Sequence, residues 1–377
     1  MKLKIKLSKQ KRIDSSFGNL INLGIIISKV LKKKKINKNP NKILIYKLDS
    51  LGDSILCLPM IKHLKENTKA KIIVACSKEN YPIFQGQKFI DKIILFNSSK
   101  LDLRNIRKNI IKLKKEKIDI AIDGGQTSNI SAIFSYLTSK NSIGFKKIKG
   151  KTRNKVYDFP IYLDPKKHMV ENYMSLLGPL KIKGGKNPKL LKLKYSKKED
   201  EKIKKLIERR KNLVGLHLWN IFPHKQWVGK KLIKLIEYLV IEKYNIILVG
   251  SKEESFLIAK TLKNINKKYL KNILNLAGEI NIKELIALTP KLKLFIALDG
   301  GPMHIASAMK TPVIGLFGHE TPVRYGPLNK SRVIYKNLDC SPCAKPYENK
   351  EPTCKNPICL KKISFEDVKK AIKDLRV

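Results

Sequence analysis

From residue 42 onward, short apolar runs rich in β-branched residues alternate with stretches of helical periodicity. The runs KILIYKL, KIIVACS, KIILFN and IDIAIDGG predict strands, and the stretches 54–66 and 101–115 predict helices between them. Strands that are apolar on both faces are typical of a parallel sheet covered by helices on each side. Residues 41–185 are therefore predicted to form a doubly wound α/β domain.

A second series of the same kind follows. A helical stretch near 168–180 and a charged helix near 196–210 lead to the runs LVGLHL, NIILVGS, ILNLAG, LFIALDGG and PVIGLFG. They predict a second doubly wound domain over 186–377, with a cysteine-containing segment at 340–359 and a final helix. The predicted fold class is α/β, with two Rossmann-like domains facing across a cleft. Such sheets bind ligands beyond the carboxyl ends of their strands, which is typical of an enzyme.

The first 40 residues follow a different pattern. The apolar run at 17–31 lies between basic clusters at 9–12 and 32–35, and no small-residue cleavage site follows it. Such a helix suits the headgroup region of an anionic membrane, and a helix docked on the core is the alternative. We predict that residues 1–40 form a basic, amphipathic extension that contacts an anionic membrane surface. No run reaches the roughly 18 apolar residues of a span, so we expect a cytoplasmic protein on the inner face of the membrane.

Composition narrows the class of partner. The chain has 80 Lys and Arg against 31 Asp and Glu, a net charge of +49, and only nine of the basic residues are Arg. Nucleic-acid surfaces interleave arginine with aromatic residues for bidentate contacts and stacking. Here aromatic residues make up 7% and lysine is spread over every helix face, so nucleic acid is not predicted as a partner.

The first motif with candidate chemistry is LDSLGDSILCLPMIKHLK, directly after the first strand. Gly52 permits a tight turn, and Asp53 lies in the first turn of the following helix. A carboxylate there is either a helix N-cap, favoured by the helix dipole, or a general base that accepts a hydroxyl proton. Both interpretations fit the local sequence.

A second motif, LVGLHLWNIFPHKQW, runs from a buried strand through a loop. Lys225 lies in that loop, where an ammonium can meet a phosphate, although one of 71 lysines is by default exposed to solvent. Trp227 is predicted to pack in the core. Glu254, after the strand NIILVGS, is placed either to meet a ribose or base or to begin a solvated helix.

The third and most specific motif is ALDGGPMHIASAMKTPVIGLFG. A strand ends at Asp299, Gly300 and Gly301 make the turn, and Pro302 is predicted at the first helical position. The unpaired N–H groups of a helix start, with His304 one turn inside, suit the diphosphate of a nucleotide. A plain turn with a core-facing histidine is the alternative. The motif is neither a Walker loop nor a G-x-G-x-x-G fingerprint, which argues against kinases and dinucleotide dehydrogenases.

These motifs resemble those of the heptosyltransferase family, ADP-heptose:lipopolysaccharide transferases of the GT-B fold. The resemblance covers residues 43–66, 213–251 and 273–363. It implies that Asp53 is the catalytic base and that the donor-binding residues include Lys225, Asp299, Gly300, Gly301, Met303 and His304. The sequence departs from the family at Leu218 and Trp219, where a Pro-Gly pair is usual, and at Gly300, where Ser or Thr is common.

The resemblance also implies a reaction. It is the inverting, metal-independent transfer of a sugar, with ADP-heptose as the expected donor and a lipopolysaccharide-type or other surface glycolipid as acceptor, without a cofactor. No two Asp residues are two apart, so the D-x-D metal motif of other glycosyltransferases is missing. A GT-B transferase for another nucleotide sugar and a non-catalytic basic protein that binds membrane or nucleic acid are the alternatives.

Four cysteines follow the third motif with the spacing C-x2-C-x10-C-x4-C, at Cys340, Cys343, Cys354 and Cys359. Four thiolates within about twenty residues can hold zinc. The second spacing is loose and four prolines interrupt the segment, so an irregular segment without metal is the alternative.

Overall fold

The structure is a computed structural model and describes residues 35–96, 103–126, 128–146, 153–185, 188–345 and 354–376. The chain divides into two compact units: among the described residues, unit 1 runs to Pro188 and unit 2 begins at Lys189. Residues 1–34, most of the predicted N-terminal extension, lie outside the described residues. The domain bounds at 40/41 and 185/186 stay a prediction. None of the described helices is long and apolar enough to cross a bilayer.

Unit 1 is built on a six-stranded parallel sheet. Its strands are β1 Lys42–Lys47, β2 Lys71–Cys76, β3 Lys92–Leu95, β4 Ile118–Asp123, β5 Ser139–Lys146 and β6 Phe159–Tyr162. The described helices are α1 Leu51–Glu66, α2 Tyr81–Phe84, α3 Leu103–Lys114, α4 Asn129–Thr138, α5 Arg153–Val156 and α6 Met169–Ser175, with a 3-10 turn at Gly178–Leu180. The central strands β1 and β4 are buried on both faces, as their largely apolar sequences predict.

Unit 2 repeats this plan, again with six parallel strands. They are β7 Leu213–His217, β8 Asn245–Leu248, β9 Ile273–Asn275, β10 Leu294–Leu298, β11 Val313–Phe317 and β12 Ser331–Tyr335. The described helices are α7 Lys197–Ile207, α8 Lys230–Ile241, α9 Ser255–Leu262, α10 Ile282–Leu288, α11 Gly301–Ala308, α12 Pro322–Tyr325, α13 Ile358–Lys361 and α14 Phe365–Leu375. Three 3-10 turns lie at Pro223–Lys225, Lys267–Asn272 and Thr289–Lys291.

The two sheets share one topology. The strand order is β3-β2-β1-β4-β5-β6 in unit 1 and β12-β11-β10-β7-β8-β9 in unit 2. Parallel connections run to both sides of β1 and to both sides of β7. Such connections put helices on both faces of each sheet. The predicted fold class, two doubly wound α/β domains, is confirmed.

This topology fixes where ligands bind. The winding direction reverses between β1 and β4 and between β7 and β10, and these pairs are adjacent in their sheets: Tyr46 pairs with Asp123, and Ala297 pairs with His217. Open α/β sheets bind ligands at such switch points, outside the carboxyl ends of the strands. The loops after β1, β4, β7 and β10 are therefore the first places to look for a site.

Candidate functional site

Asp53 lies at the switch point of unit 1, in the helix that follows β1. Ser50, not Asp53, is the N-cap of α1, and its hydroxyl oxygen accepts the Asp53 backbone N–H at 3.5 Å. The interpretation of Asp53 as the cap is therefore wrong. Asp53 is the third residue of the helix, and its side chain is partly exposed. The carboxylate is therefore accessible to a substrate.

One oxygen of that carboxylate accepts two hydrogen bonds from distant parts of unit 1. Gln126 Nε2 donates to Asp53 Oδ1 at 2.9 Å, and the Tyr173 hydroxyl donates to the same oxygen at 3.0 Å. Gln126 follows β4 and Tyr173 belongs to α6. The sequence analysis predicted neither residue as part of the site.

A buried lysine adds a fixed positive charge beside the carboxylate. Lys47, the last residue of β1, is 1% exposed, and its Nζ lies 2.7 Å from the carbonyl oxygen and 3.0 Å from the carboxylate of Asp49. Burial alone lowers the pKa of Lys47, but the carboxylates of Asp49 and Asp53 outweigh it and the pKa is raised. Lys47 is therefore charged at neutral pH.

The donor residues predicted from the third motif lie at the switch point of unit 2. Helix α11 begins at Gly301, one residue earlier than predicted, so Pro302 occupies its second position. Asp299 Oδ1 lies 4.0 Å from His304 Nε2, and Asp299 Oδ2 lies 3.8 Å from His319 Nε2. Three ionisable side chains thus converge on a helix start whose first N–H groups lack partners within the helix.

His319 was not predicted from the sequence. It follows β11, the neighbour of β10, and it is 8% exposed. Burial lowers the pKa of His319 well below its ordinary value, and the charges of Lys225 and His224 lower it further. His319 is therefore neutral at pH 7, with one ring nitrogen able to donate and the other able to accept. The ring centroid of His224, the neighbour of Lys225 in the 3-10 turn after β7, lies 6.0 Å from that of His319, so this turn approaches the Asp299 cluster.

Met303 and Glu254 expose little or no surface to a ligand. Met303 is fully buried, and its sulfur lies 3.1 Å from the position a Cβ on Gly315 would take, so the side chain packs on β11. Glu254 is 7% exposed and accepts the Ser251 backbone N–H at 2.8 Å. Burial raises the pKa of Glu254, but the hydrogen bond and charge of His217 outweigh it, and the net shift is downward. The donor roles of both residues stay predictions.

The structure explains the departure from the family pattern at Trp219, and the departure at Gly300 has no structural explanation. Trp219 is 1% exposed and donates its indole N–H to Thr261 Oγ1 at 3.0 Å, so this side chain fills the core. Trp227 is also fully buried, as predicted, and donates to the Ile363 carbonyl oxygen at 3.0 Å. A Cβ added at Gly300 meets nothing within 4 Å, so the turn there has room for a Ser or Thr side chain.

The four cysteines of the 340–359 segment carry free thiols. Burial raises the pKa of Cys343 and of Cys359, and the other cysteines raise each further, so both thiols are protonated at neutral pH. Within the described parts of the chain, no three His, Cys, Asp or Glu side chains form a group that could hold a metal ion.

Two doubly wound units, with a carboxylate at one switch point and an anion-suited helix start at the other, are the architecture of GT-B glycosyltransferases. The chain belongs to glycosyltransferase family 9 (heptosyltransferase), whose model matches residues 106–353, more than half of its length. The family predicted from the sequence motifs is confirmed, and the protein is a glycosyltransferase.

Similar proteins extend the match to most of the chain. Lipooligosaccharide heptosyltransferase 2 of Campylobacter jejuni is 24% identical over 89% of this chain and 99% of its own length. Lipopolysaccharide heptosyltransferase 1 of Campylobacter coli is 26% identical over 89% of this chain and 98% of its own length. The solved structure of E. coli ADP-heptose LPS heptosyltransferase II is similar in fold, with a TM-score of 0.72, 21% identity, and coverage of 89% of this chain and 98% of that one.

Proposed function

We propose that this protein is an inverting, metal-independent glycosyltransferase that moves heptose from ADP-heptose to a lipopolysaccharide-type glycolipid. The observation that carries the proposal is Asp53, a partly exposed carboxylate at the switch point of unit 1 with one oxygen held by two donors. The names of the similar proteins, which include an ADP-heptose LPS heptosyltransferase and a lipooligosaccharide heptosyltransferase, support the donor and the acceptor.

In the proposed reaction Asp53 takes the proton of an acceptor hydroxyl as its oxygen attacks the anomeric carbon of the donor sugar. The bond from that carbon to the diphosphate oxygen breaks, and its electron pair leaves with ADP. A single displacement of this kind inverts the anomeric configuration. The carboxylate is suited to the role because Lys47 balances its charge and two hydrogen bonds fix its orientation.

Negative charge that builds on the leaving diphosphate needs stabilisation. The start of α11 supplies backbone N–H groups, and Lys225 and His304 supply side-chain donors near it. Asp299 is suited to accept hydrogen bonds from sugar hydroxyls, and neutral His319 beside it can donate or accept one. The helix N–H groups and the ammonium of Lys225 take the place of the positive charge that a divalent cation supplies in metal-dependent transferases.

The proposal is tested by incubating the purified full chain with ADP-heptose and an inner-core glycolipid that lacks heptose, and measuring the acceptor by mass spectrometry. We expect one heptose to be added at an unchanged rate in EDTA. ADP-glucose and UDP-glucose serve as control donors and should support little transfer. A strict requirement for Mg²⁺ or Mn²⁺, or faster transfer from a control donor, would contradict the mechanism or the donor.

We further propose that the protein works at an anionic membrane surface, on its cytoplasmic side. Support comes from the basic flanks of the apolar run at 17–31 and from the net charge of +49. The protein should sediment with anionic vesicles at low salt and less at high salt, because salt screens surface charge. Equal binding to neutral vesicles would remove the electrostatic part of this proposal.

A further inference from the structure

Two side chains from distant parts of the unit 1 sequence hold the Asp53 carboxylate. Gln126 Nε2 lies 2.9 Å and the Tyr173 hydroxyl 3.0 Å from the same oxygen, Oδ1, and these residues are 73 and 120 positions away in the sequence. Two donors on one oxygen restrict rotation of the carboxylate, so they fix the direction in which the other oxygen points. A base that must meet an acceptor hydroxyl gains from a fixed direction.

Both donors are themselves held in place. Tyr173 is fully buried, its ring centroid lies 5.7 Å from that of Phe145, and its hydroxyl lies 3.4 Å from the Gly124 carbonyl oxygen. Gln126 is 7% exposed and follows the turn at Gly124 and Gly125. Neither side chain has the freedom of a surface residue, and the position of Gln126 depends on the loop after β4.

A buried ion pair fixes that loop. Asp123, the last residue of β4, is fully buried, and its Oδ2 lies 3.0 Å from Arg153 Nη2 and 2.6 Å from the donating Tyr157 hydroxyl. Arg153 Nη2 also donates to the Gly125 carbonyl oxygen at 2.7 Å, and the Gly125 N–H donates to Asp123 Oδ1 at 2.7 Å. Gly144 leaves the space for the Tyr157 ring, because an added Cβ would lie 2.3 Å from it.

Such a pair is costly to bury, and replacing one with apolar residues is often neutral or stabilising, so stability alone does not account for it. We propose that Tyr173 and Gln126 are positioning residues that aim the Asp53 carboxylate at the acceptor hydroxyl, and that the Asp123–Arg153 pair holds the loop that carries Gln126. The inference rests on the proposed function, in which Asp53 is the base. It assigns to transfer a set of buried residues that the family motifs do not include.

Substitution of the two donors in the full chain tests this inference. Tyr173→Phe removes one hydroxyl, and Gln126→Leu removes the amide, while each keeps most of the side-chain volume. We expect kcat for heptose transfer to fall about 10- to 100-fold in each, since small misplacements of reacting groups cost up to that much. The KM for the nucleotide sugar and the melting temperature should change little. Tyr46→Phe is the matched control, because Tyr46 is buried in unit 1 and its hydroxyl lies 2.7 Å from Thr138 Oγ1.

A double-mutant cycle separates positioning from a merely structural role. In an Asp53→Asn background, Tyr173→Phe should cause no further loss of the residual single-turnover rate, because there is no base left to aim. Equal losses in both backgrounds, or a kcat for Tyr173→Phe and Gln126→Leu within twofold of wild type, would overturn the inference and leave the proposed function standing. Full turnover by Asp53→Asn alone would instead overturn the proposed function.

Discussion

Replacing Asp53 with asparagine is expected to lower kcat for sugar transfer by about 10²- to 10⁴-fold, the contribution of a positioned general base. The fold should be unaffected, because an asparagine carbonyl oxygen can still accept the hydrogen bonds from Gln126 and Tyr173. ADP should bind as before, because the residues proposed to bind the donor lie in unit 2. Steady-state kinetics, with calorimetry of ADP binding on the same preparation, measure both effects.

The control for this prediction is Glu66→Gln. Glu66 is the last residue of the same helix, is exposed, and forms a surface ion pair with Lys62 at 3.5 Å, so the same chemical change there should leave kcat unaltered. Turnover of Asp53→Asn within a few fold of wild type would mean that Asp53 serves only the first turn of α1.

Lys225→Ala is expected to weaken ADP binding by about 10- to 100-fold, the usual cost of a lost hydrogen bond to a charged group. The side chain is half-buried in the 3-10 turn after β7, and its charge is close enough to lower the pKa of His319. Removal of that charge should therefore raise the pKa of His319. Calorimetry measures the first effect, and an NMR titration of the histidine ring protons measures the second.

Lys230→Ala provides the comparison. Lys230 is the exposed first residue of α8, so its loss removes the same charge from the unit without removing it from the cluster around Asp299. An ADP affinity for Lys225→Ala equal to that for Lys230→Ala would show that the position of Lys225 after β7 has no part in donor binding.

The alternation of strands and helices was predictable because parallel strands buried on both faces form unbroken apolar runs. β10, for example, is LFIAL and is buried at every position. The order of the strands in each sheet could not be predicted from the sequence, because it depends on which connections run to each side of the first strand. The placement of β4 beside β1 therefore came only from the structure.

The same limit decided which site residues were found. Asp53 lies in the first turn of the helix after β1, and Asp299 directly follows β10. Both positions carry local turn signals, so the sequence located them. Gln126 follows β4, but it can contact Asp53 only because β4 lies beside β1. Tyr173 and His319 carry no local signal, because one lies inside a short helix and the other approaches Asp299 only through the pairing of β10 with β11.

Lys47 could not be identified from the sequence, because the chain is so rich in lysine. One lysine among 71 carries no information in the sequence, and only burial at 1% exposure beside two carboxylates distinguishes it. Trp219 illustrates the opposite case. Its departure from the family pattern was visible in the sequence, but the structure was needed to show that the side chain packs inward and bonds to Thr261.

The anomeric configuration of the transferred sugar tests most directly whether the transfer is the single displacement in which Asp53 is proposed to act as base. The measurement is NMR of the first product formed from ADP-heptose, taken before any later rearrangement. The account predicts a configuration opposite to that of the donor, because the acceptor oxygen attacks the face away from the leaving diphosphate. A product with the donor's configuration would contradict it, since retention requires either two successive displacements or attack on the same face as the departing group.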